Sequence, residues 1–222
     1  MKFSSIVITA AMLLPGFLSA HYIWIERDGT AARVYYGEFQ DGEREKSPGK
    51  LDKIKGLRVF TADADGKNKE VKNVKTTDFF AAEADKAVYV LAASLEVAVA
   101  DMKKYNWGIV KPMFYARHGA LSTRVQVRPA QTLDIVPVAG GVNVFQVYFN
   151  GEGLKNEKLM VYAPNTWAKE YKTDDVGKVK IETPWQGQYV LEVIHTDKTP
   201  GEFEGKEYAS VRHRATYTFV RQ

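Results

Sequence analysis

Gln188-Tyr-Val-Leu-Glu-Val-Ile-His195 and Ser210-Val-Arg-His-Arg-Ala-Thr-Tyr-Thr-Phe-Val220 decide how this chain folds. In each stretch apolar and polar residues alternate with period 2, the signature of a half-buried strand. Tyr189, Leu191, Val193 and His195 share one face of the first. Val211, His213, Ala215, Tyr217 and Phe219 share one face of the second. If the two pair as antiparallel neighbours with His195 opposite His213, then Val193 meets Ala215, Leu191 meets Tyr217 and Tyr189 meets Phe219. Burial of one face selects that register, because a slip of one residue would turn every apolar group outward. The polar residues between them are expected to face water. Glu192 is read as solvated, and Arg212 and Arg214 as turned to solvent or to an anionic partner.

Outward from this pair the same period recurs. Tyr22–Ile25, Ala32–Tyr36, Leu57–Phe60, Ala87–Leu91, Val142–Phe149, Lys158–Tyr162 and Val179–Glu182 read as strands. Asp28-Gly, Asp41-Gly, Asp65-Gly, Gly140-Gly, Asn150-Gly and Val176-Gly mark the turns. Helix is confined to a turn or two between Ser47 and Ile54; Ala81–Lys86 is too short for one. Many short strands between regular turns predict an all-β fold built from two β-sandwich domains of immunoglobulin or transthyretin type. Arg128-Pro-Ala130, after a strand-like Arg124–Val127, marks a seam, so the expected domains are 21–126 and 127–222.

Residues 1–20 read as an address. Lys2, the apolar run Ile6–Leu14, the breaker Pro15-Gly16 and the small Ser19-Ala20 have the layout of a cleavable secretory signal peptide. The run is shorter than the ~20 apolar residues of a membrane span. The mature protein is therefore expected in the periplasm with no transmembrane segment. Cleavage after Ala20 would make His21 the N-terminal residue, whose free α-amine and imidazole can chelate one metal ion.

Composition narrows the chemistry. The 222 residues include no cysteine, which removes disulfides, thiolate metal sites and cysteine nucleophiles. A net charge of +4, from 31 Lys+Arg against 27 Asp+Glu, is too balanced for a nucleic-acid binder. No G-x-S-x-G, H-E-x-x-H or phosphate loop is present, and no catalytic residue is nominated. Four histidines remain as soft ligands: His21, His118, His195 and His213. A lone histidine on an apolar face is more often a satisfied core residue. Two on facing strands, with a third exposed by processing, favour a metal site of His21, His195 and His213. His118 is a weaker fourth candidate, and Tyr217 and Asp197 are supporting residues around the ligands. An all-nitrogen set without thiolates suits Ni²⁺, Co²⁺, Cu²⁺ or Zn²⁺.

Two resemblances add to this. Lys158–Tyr162, the turn Thr173-Asp-Asp-Val-Gly177 and Gly187-Gln-Tyr-Val-Leu191 resemble the layout of transthyretin-like modules. His21-Tyr-Ile-Trp24, Gly187…His195 and Arg212-His-Arg-Ala-Thr-Tyr217 resemble a bacterial family of exported proteins often described as periplasmic components of cobalt or nickel uptake systems. That resemblance implies a periplasmic metal-binding protein that serves uptake or homeostasis, with a membrane metal transporter as partner. Two other classes stay open. One is a copper enzyme of histidine-brace type, with Tyr217 as axial group. The other is a non-catalytic interaction module, in which Trp24, Trp107, Trp167 and Trp185 serve as core or sugar-stacking residues.

Overall fold

A computed structural model describes residues 21–62 and 67–222. The signal-peptide reading of 1–20 and the turn at Asp65-Gly lie outside the described residues. The chain is all-β, with short 3-10 turns at Phe39–Asp41, Lys50–Lys53 and Lys103–Tyr105.

The two deciding stretches become the long strands Gly187–Asp197 and Ser210–Arg221. They pair antiparallel in the expected register, with Tyr189 opposite Phe219, Leu191 opposite Tyr217, Val193 opposite Ala215 and His195 opposite His213. They form the middle of a nine-stranded sheet. On one side of Gly187–Asp197 follow Lys158–Tyr162 and Ala168–Lys172. On the other side of Ser210–Arg221 follow Ile109–His118, Tyr89–Ser94, Arg58–Ala62 and Asn68–Val71. Ile109–His118 lies parallel to Ser210–Arg221, with Met113 opposite His213 and Phe114 opposite Arg214. Strands from both sides of the seam near residue 127 thus share one sheet. Arg124–Val127 itself forms no strand; Thr123 makes a single bridge to Ala139.

Each face of this sheet is covered by a smaller one. On one face lies a five-stranded sheet of Tyr22–Asp28, Ala31–Glu38, Phe80–Glu83 and Asn73–Lys75, with Glu43–Arg44 added beside Ala31–Glu38. Its Ile23, Ile25, Val34 and Tyr36 pack on Val59, Val90, Ala92 and Phe114. On the other face Leu133–Pro137 and Val144–Phe149, with Glu152–Gly153 and Lys178–Lys180, place Leu133, Ile135, Phe145 and Val147 on Leu159, Leu191, Tyr217 and Phe219.

Because both faces are covered, the closing strand is buried almost throughout, and its polar face does not reach water as its alternation suggests. Glu192 is 2% exposed and forms an ion pair with Arg214, itself 4% exposed. Tyr162 donates its hydroxyl proton to Glu192 at 2.8 Å, and the Arg214 guanidinium sits 4.6 Å from the Tyr22 ring centre. Thr216 donates to the Ile23 carbonyl at 2.8 Å, tying the middle layer to the five-stranded one. A charge left in such a position is tolerable only when paired, and here it is. A further inter-layer tie is Arg117, from the central sheet, which grips Asp134 bidentately at 3.0 and 2.6 Å.

Candidate metal centre

His21 immediately precedes the first strand, and its surroundings follow from a register. Tyr22 pairs with Gly37 and Ile23 with Tyr36, so the same ladder brings His21 to Glu38. The 3-10 turn Phe39–Asp41 and Gly42, in the left-handed region, reverse the chain. Glu43 then comes back opposite Glu38 and Arg44 opposite Gly37. One step further the Glu45 amide donates to the Tyr36 carbonyl at 2.8 Å. Residues two apart share a face, so His21, Glu38, Glu43 and Glu45 converge on one side of three adjacent strands. Gly37 permits this. A Cβ there would meet the Glu43 carbonyl oxygen at 2.1 Å, and its φ of +147° is disfavoured for other residues.

The result is an imidazole with both nitrogens facing carboxylates. Nδ1 lies 3.1 Å from Glu38 Oε1, and Nε2 lies 3.7 Å from Glu43 Oε1 and in direct contact with Glu45 Oε1. His21, Glu38 and Glu43 each offer a ligand atom within 4.8 Å of the others, and Glu45 lies against the same imidazole. Glu38 is buried at 7% exposure, and the Glu45 side chain is largely covered. Burial raises the Glu45 carboxyl, but hydrogen bonds from Lys50 and His21 outweigh it and hold it below its ordinary value.

Lys50 supplies a cation in this cluster. Its Nζ stands 2.6 Å from Glu45 Oε1, 3.6 Å from Glu43 Oε1 and 3.3 Å from His21 Nε2. Two carboxylates and an imidazole thus face a single positive charge, with Glu38 on the other ring nitrogen. The donor set accepts a cation, and a metal ion would have to displace the ammonium to use it. Tyr36, whose ring centre is 5.4 Å from that of His21, backs the cluster, and its phenol is pushed up to about 12, first by burial.

The expected partners of His21 lie elsewhere. His195 and His213 do face each other, and Phe149 lies against both, with ring centres 4.5 and 5.1 Å away. His195 Nδ1 sits 3.0 Å from Glu157 Oε2, and His213 Nδ1 sits 3.0 Å from the Tyr115 hydroxyl. His213 is buried among the residues that meet the four-stranded layer, whereas Phe114 and Arg214, on the opposite face of the same sheet, line a cleft with His21. The central sheet therefore stands between His21 and the other two. Burial, opposed by the Asp197 carboxylate and aided by His195, lowers His213 to about 4.

His118 shares its strand face with Phe114 and Ala116, toward the five-stranded layer and away from His213. Burial, then Arg27, lowers it to about 4, and its Nδ1 is enclosed without a hydrogen-bond partner. Tyr217 is fully buried and donates to the Ala120 carbonyl at 2.7 Å, so its hydroxyl serves the fold. Asp197 accepts from the Thr199 hydroxyl at 2.8 Å and its amide at 3.0 Å, and those two bonds lower its carboxyl. Among comparisons with known proteins, no family model, curated protein or solved structure matches this chain.

Glu38, Glu43 and Glu45 are the residues that sequence reading missed. The signal was present: an Asp28-Gly29 turn centred between two strands sets the register, and that register places His21 beside Glu38. No helix among the described residues is long and apolar enough to cross a membrane.

Proposed function

We propose that the protein binds a divalent transition metal ion through His21, Glu43 and Glu45, with Glu38 orienting the imidazole, in the periplasm. In this reading Nε2 of His21 and the two carboxylates are ligands. Glu38 accepts the Nδ1 proton and fixes the tautomer, as outer carboxylates do at metal-bound histidines. If processing ends at Ala20, the α-amine of His21 completes a chelate with its imidazole. The observation that carries the reading is the convergence of three carboxylates, Glu38 buried, Glu45 largely covered and Glu43 exposed, on both nitrogens of one histidine. Nitrogen and oxygen donors without thiolate accept Ni²⁺, Co²⁺, Cu²⁺ and Zn²⁺, with copper the tightest by intrinsic order. A partly solvent-facing site with a displaceable lysine suits an ion that is taken up and released. That supports passage of the ion to a membrane metal transporter in uptake or homeostasis.

The test is calorimetric titration of the four metals into a chain beginning at His21, beside one carrying an extra N-terminal residue. One ion per chain is expected, with affinity falling at least tenfold in His21→Ala and in Glu43→Gln. Binding that survives both changes but is lost in His195→Ala would move the site to the His195–His213 pair. An absence of one-to-one binding for all four metals would refute the reading.

A further inference from the structure

Beside the His21 cluster opens a cleft of about 910 Å³, within the range of small-molecule sites. Its floor is the Val110, Pro112 and Phe114 face of one central strand and the Arg212 and Arg214 face of the next. Segment 97–102 and the turn carrying Tyr105 and Trp107 form one wall, and 49–55 the other. The lining is largely apolar and aromatic, with an excess of positive charge.

Six lysines and arginines line the cleft against two aspartates. Both aspartates are engaged, Asp52 by Lys75 and Ser47 and Asp101 by the Lys103 amide. Lys50 is taken by Glu45, and Arg214 by Glu192. Lys53, Lys55, Lys104 and Arg212 remain, none with a carboxylate at ion-pair distance among the described residues. Arg212 is the one rooted in the fold. It lies on the buried closing strand, between Pro112 and Thr196 on its neighbours, and its guanidinium carbon is 3.7 Å from the centre of the Trp107 ring. Burial first, and then the adjacent Arg214 charge, lower its guanidinium to about 10. A half-buried guanidinium beside a second cation, without its own counter-ion, is an incomplete arrangement that an incoming anion completes.

We propose that this cleft is a binding site for a small organic carboxylate with a planar apolar body, its carboxylate held by the Arg212 fork and its body lying along Trp107, Tyr105 and Phe114. The fork presents parallel N–H groups that match a carboxylate bidentately, and the stacked indole holds the fork in place. The lysines at the mouth raise the local concentration of anions, which makes association dependent on salt. The apolar walls add affinity that a bare inorganic anion cannot gain. This site rests on Arg212 and Trp107 and does not require the metal reading.

The experiment is calorimetric titration of the metal-free protein with 2-naphthoate, its neutral amide 2-naphthamide, and acetate. The expected result is one-to-one binding of 2-naphthoate, at least tenfold weaker binding of both the amide and acetate, and weakening with added salt. Arg212→Gln and Arg212→Lys should each lower 2-naphthoate affinity about tenfold or more, since lysine keeps the charge and loses the fork. Circular dichroism checks that these variants fold. Trp107→Ala, on a surface turn, tests the same site without touching the central sheet and should also weaken binding. His21 also borders the cleft, so the metal-free titration and the Arg212 and Trp107 variants, not a change at His21, separate this site from the metal cluster. Equal binding of acid and amide, wild-type affinity in Arg212→Gln, or no saturation by about 10 mM ligand would each overturn the proposal.

Discussion

Single residues set the chemistry here through what surrounds them, and Lys50 is the sharpest case. Its hydrogen bond to Glu45, and the charges of Glu45 and Glu43, raise its ammonium above the ordinary value. In the absence of metal it neutralises the cluster, and a metal must expel it. Lys50→Met should therefore tighten Zn²⁺ or Ni²⁺ binding by about tenfold; a weaker site in a titration of that variant would show that Lys50 helps to organise the ligands. His213 and His118 make a second residue-scale case. Both are lowered to about 4, chiefly by burial, against an ordinary value of 6.5. The unfolded chain then binds more protons than the folded one between those values. Stability is full above pH 6.5, declines as pH falls, and the loss is complete below about 4. Each histidine contributes up to about 3 kcal/mol to that loss. Urea unfolding of His118→Asn from pH 7 to pH 4 should show a shallower pH dependence than the natural chain, and an unchanged slope would dismiss His118 as a source. Both histidines were visible in the sequence. The enclosing layer that lowers them was not, because alternation along one strand reports one face and is silent about what covers the other.

Strands and turns carry the next level. The pairing of Gly187–Asp197 with Ser210–Arg221 was legible because three apolar cross-strand pairs and a histidine pair agree on one register. Ile109–His118 was harder to read as a whole, since Lys111 and Pro112 interrupt its pattern. Lys111 is 1% exposed there because its ammonium donates to the Leu95 and Val97 carbonyls at 2.5 and 2.6 Å. Glu38, Glu43 and Glu45 were passed over for a related reason: in sequence they form part of a charged stretch, and only the Gly37 crossing folds that stretch onto His21. The crossing makes an element-scale prediction. Gly37→Ala forces its Cβ against the Glu43 carbonyl, so Glu43–Arg44 must move away from Ala31–Glu38. Stability should fall by about 1–3 kcal/mol, and metal affinity should fall with it. Loss of stability with full metal affinity would show that Glu43 is dispensable. Asp134→Asn, which strands the Arg117 guanidinium between the central and four-stranded sheets, should cost more, about 3–5 kcal/mol in chemical unfolding.

At the scale of the whole molecule, the two halves on either side of residue 127 each own one outer sheet and jointly build the middle one. Ser210–Arg221 has Gly187–Asp197 from its own half on one edge and Ile109–His118 from the other half on the opposite edge. Its polar face carries Arg214, Thr216 and Thr218, which are buried only because the five-stranded layer of the first half lies over them. Removing residues 21–126 would expose that face and leave the backbone edge of the closing strand without its parallel partner. The first half alone would in turn lose the neighbour of Ile109–His118 and the four-stranded layer, exposing Tyr115 beside an open sheet edge. A chain of 127–222 expressed alone should therefore lack the cooperative unfolding transition of the 21–222 chain. Mixing the two pieces should restore it, because the sheet edges are complementary. A sharp thermal transition and dispersed amide spectrum for 127–222 alone would instead mean that its pairing with the four-stranded layer suffices, and that the first half docks onto a finished domain. In that case the His21 cluster and the Arg212 cleft would part company: Arg212 belongs to the second half, while His21 and all three of its carboxylates belong to the first. The first piece should then bind metal alone, whereas 2-naphthoate should need both pieces, because Trp107, Tyr105 and Phe114 lie in the first half and Arg212 in the second.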